Sequence, residues 1–291
     1  MRIAYHLGAH CTDDERLLRT LIANRALLAD EGVVVPDPGR YRNLIRDTAT
    51  QLRGQPASRD TQALVLDQIM DEAIAARLVL SWDSFLAFPQ WVLRGGQLYP
   101  AGGERVRAIT QIFPEIQAEF FLAIRNPASF LPDLYRRLRA KDPDSFLEGT
   151  APLSLRWSHL IGAIMAHSPG VPLTVWCDED TPLIWPEVLA AICGTGPEIQ
   201  LQGVDGILSD IMLPEGMERM LAYMEAHPPT SVAQRRRVVS AFLDKFARPE
   251  KLNWSFEMPG WDAELVAQMT AQYEGDCAYI ATLPGVTFLT P

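Results

Sequence analysis

The chain has 291 residues, of which 48% are hydrophobic and 21% charged, and it carries a formal net charge of -10. This length predicts one elaborated α/β domain over residues 1–291, with a largely helical C-terminal part from about residue 183 to residue 291. The acidic balance excludes nucleic acid and anionic membranes as general partners. No apolar run approaches the roughly 20 residues that cross a bilayer, and the apolar run after Arg2, which is broken at His6, is too short for the core of a signal peptide. We therefore expect a cytoplasmic protein.

Along the chain, short apolar runs of strand length alternate with amphipathic stretches of helical length, which predicts a three-layer α/β fold with a mostly parallel sheet and helices on both faces. The predicted strands are residues 2–7, 77–81, 119–124 and 172–176, and the predicted helices are residues 13–30, 60–75, 103–112, 132–140, 153–167, 183–193, 214–226, 230–246 and 262–282. Ligands of such sheets bind beyond the carboxyl ends of the strands, so the loops after His6, Ser81 and Ile124 should converge on one site. The glycine-rich segment 89–103 predicts a surface loop that borders this site.

The turn after the first predicted strand has the layout of an anion cradle. Residues 3–15 read Ile-Ala-Tyr-His-Leu-Gly-Ala-His-Cys-Thr-Asp-Asp-Glu, which predicts a strand, a glycine turn and the start of a helix. In such a cradle the first amides and the dipole of the helix attract a phosphate. Here Asp13, Asp14 and Glu15 occupy the predicted first turn. Thr12 and Glu15 also have the spacing of a capping box, in which their side chains satisfy the same amides and the loop simply starts a helix.

These residues resemble the 5′-phosphosulfate loop of sulfotransferases that use phosphoadenosine phosphosulfate, where the run is typically His-x-Gly-x-x-Lys-Thr-Gly-Thr-Thr. Three positions of the chain match this run: His6, Gly8 and Thr12. Four positions differ, because Cys11 stands at the lysine, Asp13 at the glycine, and Asp14 and Glu15 at the hydroxyl residues. In that family the lysine and the hydroxyl residues hold the sulfuryl-bearing phosphate.

A second segment is similar to the strand and loop that contact the 3′-phosphate in the same family. Residues 120–127 form an apolar run that ends in Arg125 and Pro127, and Tyr135 follows. These three residues match the family pattern, whereas Asp133 stands where a serine is typical. The resemblance continues, more loosely, through four further segments: residues 26–36, 78–81, 173–180 and 285–289.

The resemblance implies a P-loop NTPase-like, sulfotransferase-like fold. It also implies that phosphoadenosine phosphosulfate or adenosine 3′,5′-bisphosphate is held at Gly8, Cys11, Thr12, Arg125 and Asp133 if the site still functions. Both short motifs have changed toward negative charge, and each pair of like charges about 4 Å apart costs roughly 1 to 4 kcal/mol. We therefore predict that donor binding is lost or altered. If no anion binds, Asp133 can itself pair with Arg125.

Three functions remain open, and the sequence does not decide whether the chain is an enzyme. The first is a non-catalytic module that binds a small molecule or a protein. The second is an active sulfotransferase that moves a sulfuryl group to a hydroxyl or amine acceptor, with Gly8, Thr12 and Arg125 holding the donor and His10 as the catalytic base. The third is a different enzyme in which Cys11 and His10 perform nucleophilic chemistry.

The titratable residues of the loop allow structural interpretations as well. His10 and Asp14 can form an acid–base pair or a purely structural hydrogen bond. A helix start lowers the pKa of Cys11, but the neighbouring acids oppose this effect. The four cysteines, at positions 11, 177, 193 and 277, show no spacing typical of a metal site or a redox motif, which predicts free thiols and no metal.

Overall fold

A computed structural model describes residues 1–72, 74–196, 199–252 and 256–291. Its strands are β1 (Arg2–His6), β2 (Val33–Val34), β3 (Arg77–Ser81), β4 (Leu93–Arg94), β5 (Gln97–Leu98), β6 (Gln117–Ile124), β7 (Leu173–Cys177) and β8 (Val286–Leu289). Six of them form one parallel sheet in the order β2-β3-β1-β6-β7-β8, and β4 pairs with β5 in a separate antiparallel hairpin. The predicted fold class, an α/β fold with a largely parallel central sheet, is confirmed.

Besides short 3₁₀ turns at Asp83–Phe85, Pro89–Trp91, Pro152–Ser154 and Asp178–Asp180, α-helices supply the remaining regular structure of the described residues. They are α1 (Arg16–Ala23), α2 (Arg25–Asp30), α3 (Pro38–Leu52), α4 (Arg59–Ile69), α5 (Gly102–Thr110), α6 (Pro127–Arg137), α7 (Pro143–Leu147), α8 (Trp157–His167), α9 (Thr181–Cys193), α10 (Gly206–Ile211), α11 (Pro214–Ala226), α12 (Val232–Phe246), α13 (Pro249–Leu252) and α14 (Ala263–Ile280). None of the described helices combines the length and the apolar character that crossing a bilayer requires.

Both faces of the sheet are buried, because the side chains of each strand alternate between two apolar clusters. Ile3 and Tyr5 of β1 belong to the cluster that contains residues of α3, α5, α6, α8 and α14. Ala4 belongs to the cluster on the opposite face, which contains residues of α1, α2 and α9. Strands covered on both faces read as continuous apolar runs, which explains why β1, β3, β6 and β7 were predictable.

The chain segments that follow β1 and its neighbours β3 and β6 run to opposite faces of the sheet. After β1 the chain enters α1, whose buried leucines pack on the second face. After β3 and β6 it reaches α5 and α6, whose buried residues pack on the first face. Diverging connections open a crevice at the carboxyl end of a parallel sheet, where ligands of such folds bind. The topology therefore places the candidate site at the end of β1.

The first helix differs from its prediction of 13–30. Asp14 (φ 47°) and Glu15 (φ 62°) have left-handed backbone conformations, so α1 begins only at Arg16. The helix is interrupted at Asn24, whose side chain donates to Thr20 O and Gln202 O and accepts from the amide of Gln202. The two hydrogen bonds with Gln202, which is distant in sequence, take the place of a regular helical turn at Asn24.

Three further segments differ from the predictions. Helix α6 begins at Pro127 rather than at residue 132, because the Asn126 side chain accepts from the Ala128 amide and proline suits a first turn. Helix α3 was not predicted. Segment 89–103, predicted as a surface loop, contains the β4–β5 hairpin and buries Tyr99. Predicted helix 60–75 ends at Ile69 within the described residues, and residue 73 lies outside them.

Candidate functional site

A cleft of about 370 Å³ lies at the carboxyl end of β1. It is lined by the loop after β1, by residues 81–84 after β3, and by two arginines, Arg42 of α3 and Arg137 of α6. The loop after β6 reaches the same place, because Arg125 donates to Cys11 O at 2.5 Å. The convergence of three loops that the sequence predicted is present in the structure.

The main chain of the loop after β1 directs several amides into the protein. The amides of Leu7 and Ala9 continue the ladder with β6 and donate to Phe121 O and Ala123 O at 2.8 and 3.0 Å. The His10 amide donates to Tyr99 Oη at 2.9 Å. An anion in the cleft would have to compete with these acceptors for the same donors.

Two of the residues taken from the family pattern support the loop itself. Gly8 has φ 90°, and a Cβ there would lie 3.0 Å from Asp83 Cα, so the turn requires glycine. The Thr12 hydroxyl donates to Ala9 O at 2.8 Å, which closes the turn. Both residues therefore hold the loop in shape, whatever else they bind.

The three acids of the loop have separate roles, and the predicted capping box is wrong. Asp13, rather than Thr12, caps α1, because its carboxylate accepts from the Leu17 amide at 2.9 Å and from the Glu15 amide at 3.3 Å. The left-handed Glu15 turns its side chain to Arg42, with 2.6 Å between carboxylate and guanidinium. Asp14 is exposed. The amides of Glu15, Arg16 and Leu17 are thus all bound to Asp13, the first and third through its carboxylate and the second through its carbonyl.

Two further arginines near the loop are also ion-paired. Arg125, whose side chain is only 3% exposed, lies 2.5 Å from Asp133 and donates to Ser129 Oγ at 3.0 Å. Arg137 lies 3.0 Å from Asp83. The Arg125–Asp133 pair is the internal ion pair that the sequence suggested for a site without its anion.

Cys11 lines the cleft at the position where the family has lysine. Burial raises the pKa of the Cys11 thiol to about 11, and the contact with Arg137 only partly opposes this effect. The residue is therefore a neutral thiol at physiological pH. A neutral thiol supplies neither the positive charge of a lysine nor an activated nucleophile.

The two histidines of the loop occupy different environments. His10, the predicted base, is fully buried, with Nδ1 2.9 Å from Tyr99 Oη and Nε2 3.7 Å from Asp83 Oδ2. Burial lowers the pKa of His10 to about 4. Its acidic neighbour is Asp83 rather than the predicted Asp14. His6 lines the cleft, with Nδ1 2.8 Å from Ser81 Oγ and its ring stacked on Trp176.

Several residues of the cleft were not among the predicted site residues. Asp83 follows a predicted strand by two positions, so the rule that ligands bind beyond strand ends would have identified it. Arg42 lies on α3, which itself was not predicted, and Arg137 lies in the last turn of α6. No local pattern in the sequence links either arginine to the loop.

No protein-family model and no curated protein matches this chain. Among solved structures, the "Sulfotransferase Domain from the Synechococcus PCC 7002 Olefin Synthase" aligns with 98% of this chain and 96% of its own chain, at 14% sequence identity and a TM-score of 0.41. Function depends on the residues of a site rather than on the scaffold. At this distance the similarity says nothing about which reaction, if any, the chain performs.

Proposed function

We propose that the chain is a sulfotransferase-like protein that has lost phosphoadenosine phosphosulfate binding and uses its cleft as a non-catalytic binding module for a small molecule. One observation carries the proposal: the three arginines around the loop are each ion-paired with a carboxylate of the same chain. The distances are 2.5 Å for Arg125–Asp133, 2.6 Å for Arg42–Glu15 and 3.0 Å for Arg137–Asp83.

These pairs disfavour a nucleotide because a bound phosphate would have to replace carboxylates that are already in place. Replacing the carboxylate on the buried Arg125 leaves Asp133 with only its more exposed partner Arg136, and that loss offsets what the phosphate gains. Asp13 and Asp14 add like charge at the start of α1, where each close pair of negative charges costs roughly 1 to 4 kcal/mol.

The two enzymatic alternatives lack their reacting groups. An active sulfotransferase needs a cation at the lysine position and a base that reaches the acceptor, whereas Cys11 is neutral and His10 is shielded from the cleft. Nucleophilic catalysis by Cys11 needs a thiolate near neutral pH, and burial of the thiol works against it. We therefore place the binding module first.

Thermal unfolding with adenosine 3′,5′-bisphosphate tests the proposal. A ligand at a hundredfold excess over its dissociation constant stabilises a protein by about 2.7 kcal/mol, which is visible as a higher melting temperature. We expect no change with millimolar bisphosphate. A clear stabilisation of the unmodified chain, or sulfuryl transfer from phosphoadenosine phosphosulfate to any acceptor, would overturn the proposal.

A double variant, Asp83→Asn with Asp133→Ser, identifies the cause. It frees Arg137 and Arg125 from their carboxylates, and we expect it to gain a bisphosphate-dependent stabilisation that the parent lacks. The matched control is Asp47→Asn with Asp71→Asn, which removes two exposed carboxylates from Arg46 and Arg40 outside the cleft. If the control gains the same stabilisation, the acids of the cleft are not what excludes the nucleotide.

A further inference from the structure

A second cavity, of about 130 Å³, lies between α3, α5 and the turn after β3. Trp82 lines both the cleft and this cavity. The charged side chains that line the cavity are two arginines, Arg46 and Arg105, and no carboxylate among the described residues joins them. The chain as a whole carries a net charge of -10. A cavity lined only by positive charge in so acidic a chain favours an anionic ligand over a cationic one.

Arg105 of α5 is a half-buried cation without a counter-charge. Its Nε donates to Phe85 O at 3.0 Å and its Nη2 donates to Ser84 O at 2.9 Å, so the turn after β3 fixes two of its three nitrogen atoms. Its Nη1 keeps accessible surface and donates to no group of the described residues, none of which forms an ion pair with Arg105. Burial lowers the pKa of Arg105, but a guanidinium stays charged at physiological pH. This fixed and uncompensated charge is suited to a carboxylate.

Arg46 brings a second guanidinium to the cavity from α3. Its Nε lies 2.8 Å from Asp47 Oδ1, and the two side chains are 37% and 56% exposed. Ion pairs between exposed groups contribute little to stability, so a ligand carboxylate can replace Asp47 as the partner of Arg46 at low cost. Arg46 therefore adds to the attraction of Arg105 for an anion.

The remaining walls of the cavity are largely aromatic and aliphatic. Trp82 and Phe85 meet edge to face, with 5.6 Å between ring centroids and 77° between ring planes. Ile45 and Ile109 line the same space. An apolar cavity of about 150 Å³ holds benzene, so this cavity has room for about one ring. The apolar walls therefore suit a ligand whose charged group is attached to a single small ring.

From these observations we propose that the cavity binds a small organic anion, a carboxylate attached to a single ring. The carboxylate accepts from Arg105 Nη1 and pairs with Arg46, and the ring lies against Trp82 and Phe85. The inference goes beyond the proposed function, because it concerns a different cavity and stands whether or not the cleft binds a nucleotide. Adenosine 3′,5′-bisphosphate is too large for this cavity, so the two proposals are tested independently.

Isothermal titration calorimetry of the unmodified chain with benzoate tests the inference. Benzyl alcohol is the neutral analogue, benzylammonium the cationic one and acetate the anion without a ring, all at equal ionic strength. We expect benzoate to bind at least about tenfold more tightly than benzyl alcohol, because arginine forms charge-assisted hydrogen bonds with a carboxylate. We expect a margin of at least about tenfold over acetate, because the ring leaves water. Absence of benzoate binding, or equal affinity for any of the three analogues, overturns the inference.

Ala49→Leu localises the ligand, because the larger side chain fills the cavity from α3 and leaves both arginines in place. We expect this variant to bind benzoate at least about tenfold more weakly, since the added atoms occupy the space of the ring. Ala63→Leu, the same change at an exposed position of α4, is the matched control and should bind as the parent does. The melting temperature shows that each variant folds. Unchanged benzoate affinity in a folded Ala49→Leu protein contradicts the inference.

Two charge variants test the arginines. Arg105→Gln should weaken benzoate binding by at least about tenfold, whereas Arg107→Gln, at an exposed position of the same helix, should leave it unchanged. Equal effects of these two substitutions contradict the role of Arg105.

Asp47→Asn provides a gain of binding, which a misfolded protein cannot imitate. The change weakens the hold of residue 47 on Arg46, and we expect it to strengthen benzoate binding about two- to fivefold. Asp67→Asn, which removes an exposed carboxylate of α4 outside the cavity, should leave the affinity unchanged. Benzoate affinity that does not rise in Asp47→Asn, or that rises equally in both variants, speaks against the site.

Discussion

At the scale of single residues, the chemistry of the site depends on which group balances the buried positive charge of Arg125. Arg125 is almost completely removed from water, and a charge in such a place needs a fixed partner. Asp133 supplies that partner from within the chain, and Ser129 Oγ and Cys11 O accept further hydrogen bonds from the guanidinium. The charge of Arg125 is therefore balanced by the protein itself.

Asp133→Ala should destabilise the protein by about 1 to 3 kcal/mol. The value lies below the cost of breaking a fully buried ion pair because Asp133 is a quarter exposed. Urea unfolding measures this loss of stability. Sulfate at constant ionic strength should raise the free energy of unfolding of the variant more than it raises that of the parent. Asp47→Ala, which removes an exposed partner of Arg46, should change stability by less than about 0.5 kcal/mol. An unchanged unfolding midpoint in Asp133→Ala contradicts the role given to this pair.

His10 should make stability fall as the pH is lowered from about 6.5 to about 4. Its pKa is about 4 in the folded protein and about 6.5 in the unfolded chain, so only the unfolded chain takes up a proton in this window. Between pH 7 and pH 5 we expect this residue to account for a loss of about 1 to 2 kcal/mol.

The His10 contribution is isolated by comparing the parent with His10→Asn in urea unfolding at several pH values. Burial also lowers the pKa of His6, which acts in the same direction, and raises that of Asp178, whose contribution is lost as the pH rises. Both groups remain in the variant, so only the difference between the two proteins reports on His10. Identical pH dependence of parent and variant is the contrary outcome.

At the scale of elements, the sequence predicts what local patterning determines. The four long strands and the helix Pro214–Ala226 follow from apolar periodicity and a proline in the first turn. The β4–β5 hairpin was also readable in principle, since Gly95-Gly96 separates its two strands. The break at Asn24 was not, because it depends on bonds to residue 202. The loop after β1 was mispredicted for a related reason: the left-handed conformation of Glu15 accompanies a pairing with α3.

The features of the cleft also divide into those that local sequence patterns predict and those that they do not. The position of the cleft and the convergence of its loops follow from strand ends, which sequence patterns locate. The partners of its acids lie on α3 and α6, and nothing in the neighbourhood of residues 8–15 identifies them. Of the ion pairs around the cleft, only Arg125–Asp133 was therefore predictable, because these two residues lie eight positions apart in the sequence.

Two elements far apart in sequence bring together a pair of thiols that cysteine spacing did not indicate. Cys177 ends β7 and Cys277 lies in α14, with 3.6 Å between the sulfur atoms. We expect diamide, a thiol-specific oxidant, to convert the two thiols into one intramolecular disulfide while its azo group is reduced to a hydrazine. Their hydrogen bond and burial raise the pKa of Cys277, so the reaction should be slow at neutral pH.

Thiol counting and peptide mapping by mass spectrometry test the cross-link. Oxidation should reduce the titratable thiols from four to two and link the peptides that contain residues 177 and 277. The Cys277→Ser variant should keep its three thiols under the same treatment. A parent protein that retains four thiols, or that links Cys11 or Cys193 instead, contradicts the prediction.

At the scale of the whole molecule, the buried apolar residues in the described part of the chain form three clusters of unequal size. Two cover the faces of the sheet, and the third is a small cluster among α10, α11 and α12 that contains Met217, Met220 and Val239. Local opening requires less free energy where few apolar contacts are lost. Helices α10, α11 and α12 should therefore open more readily than the sheet.

Hydrogen exchange should reveal this difference. We expect the amides of α11 and α12 to exchange at least about tenfold faster than those of β1, β3 and β6, which exchange through global unfolding. Val239→Ala, which truncates a completely buried side chain of α12, should accelerate exchange in α11 and α12 and leave the sheet amides almost unchanged. Equal protection of both regions, before and after the substitution, speaks against separate opening.

The Arg125–Asp133 pair also has a consequence for how the protein responds to the ions around it. The buried Arg125 guanidinium lies 2.5 Å from Asp133, so its counter-charge is part of the chain itself. A neutral residue at position 133 would leave this guanidinium to be balanced by an anion from solution. The stability of such a variant would follow the concentration of that anion, whereas the parent carries its own counter-charge under every salt condition.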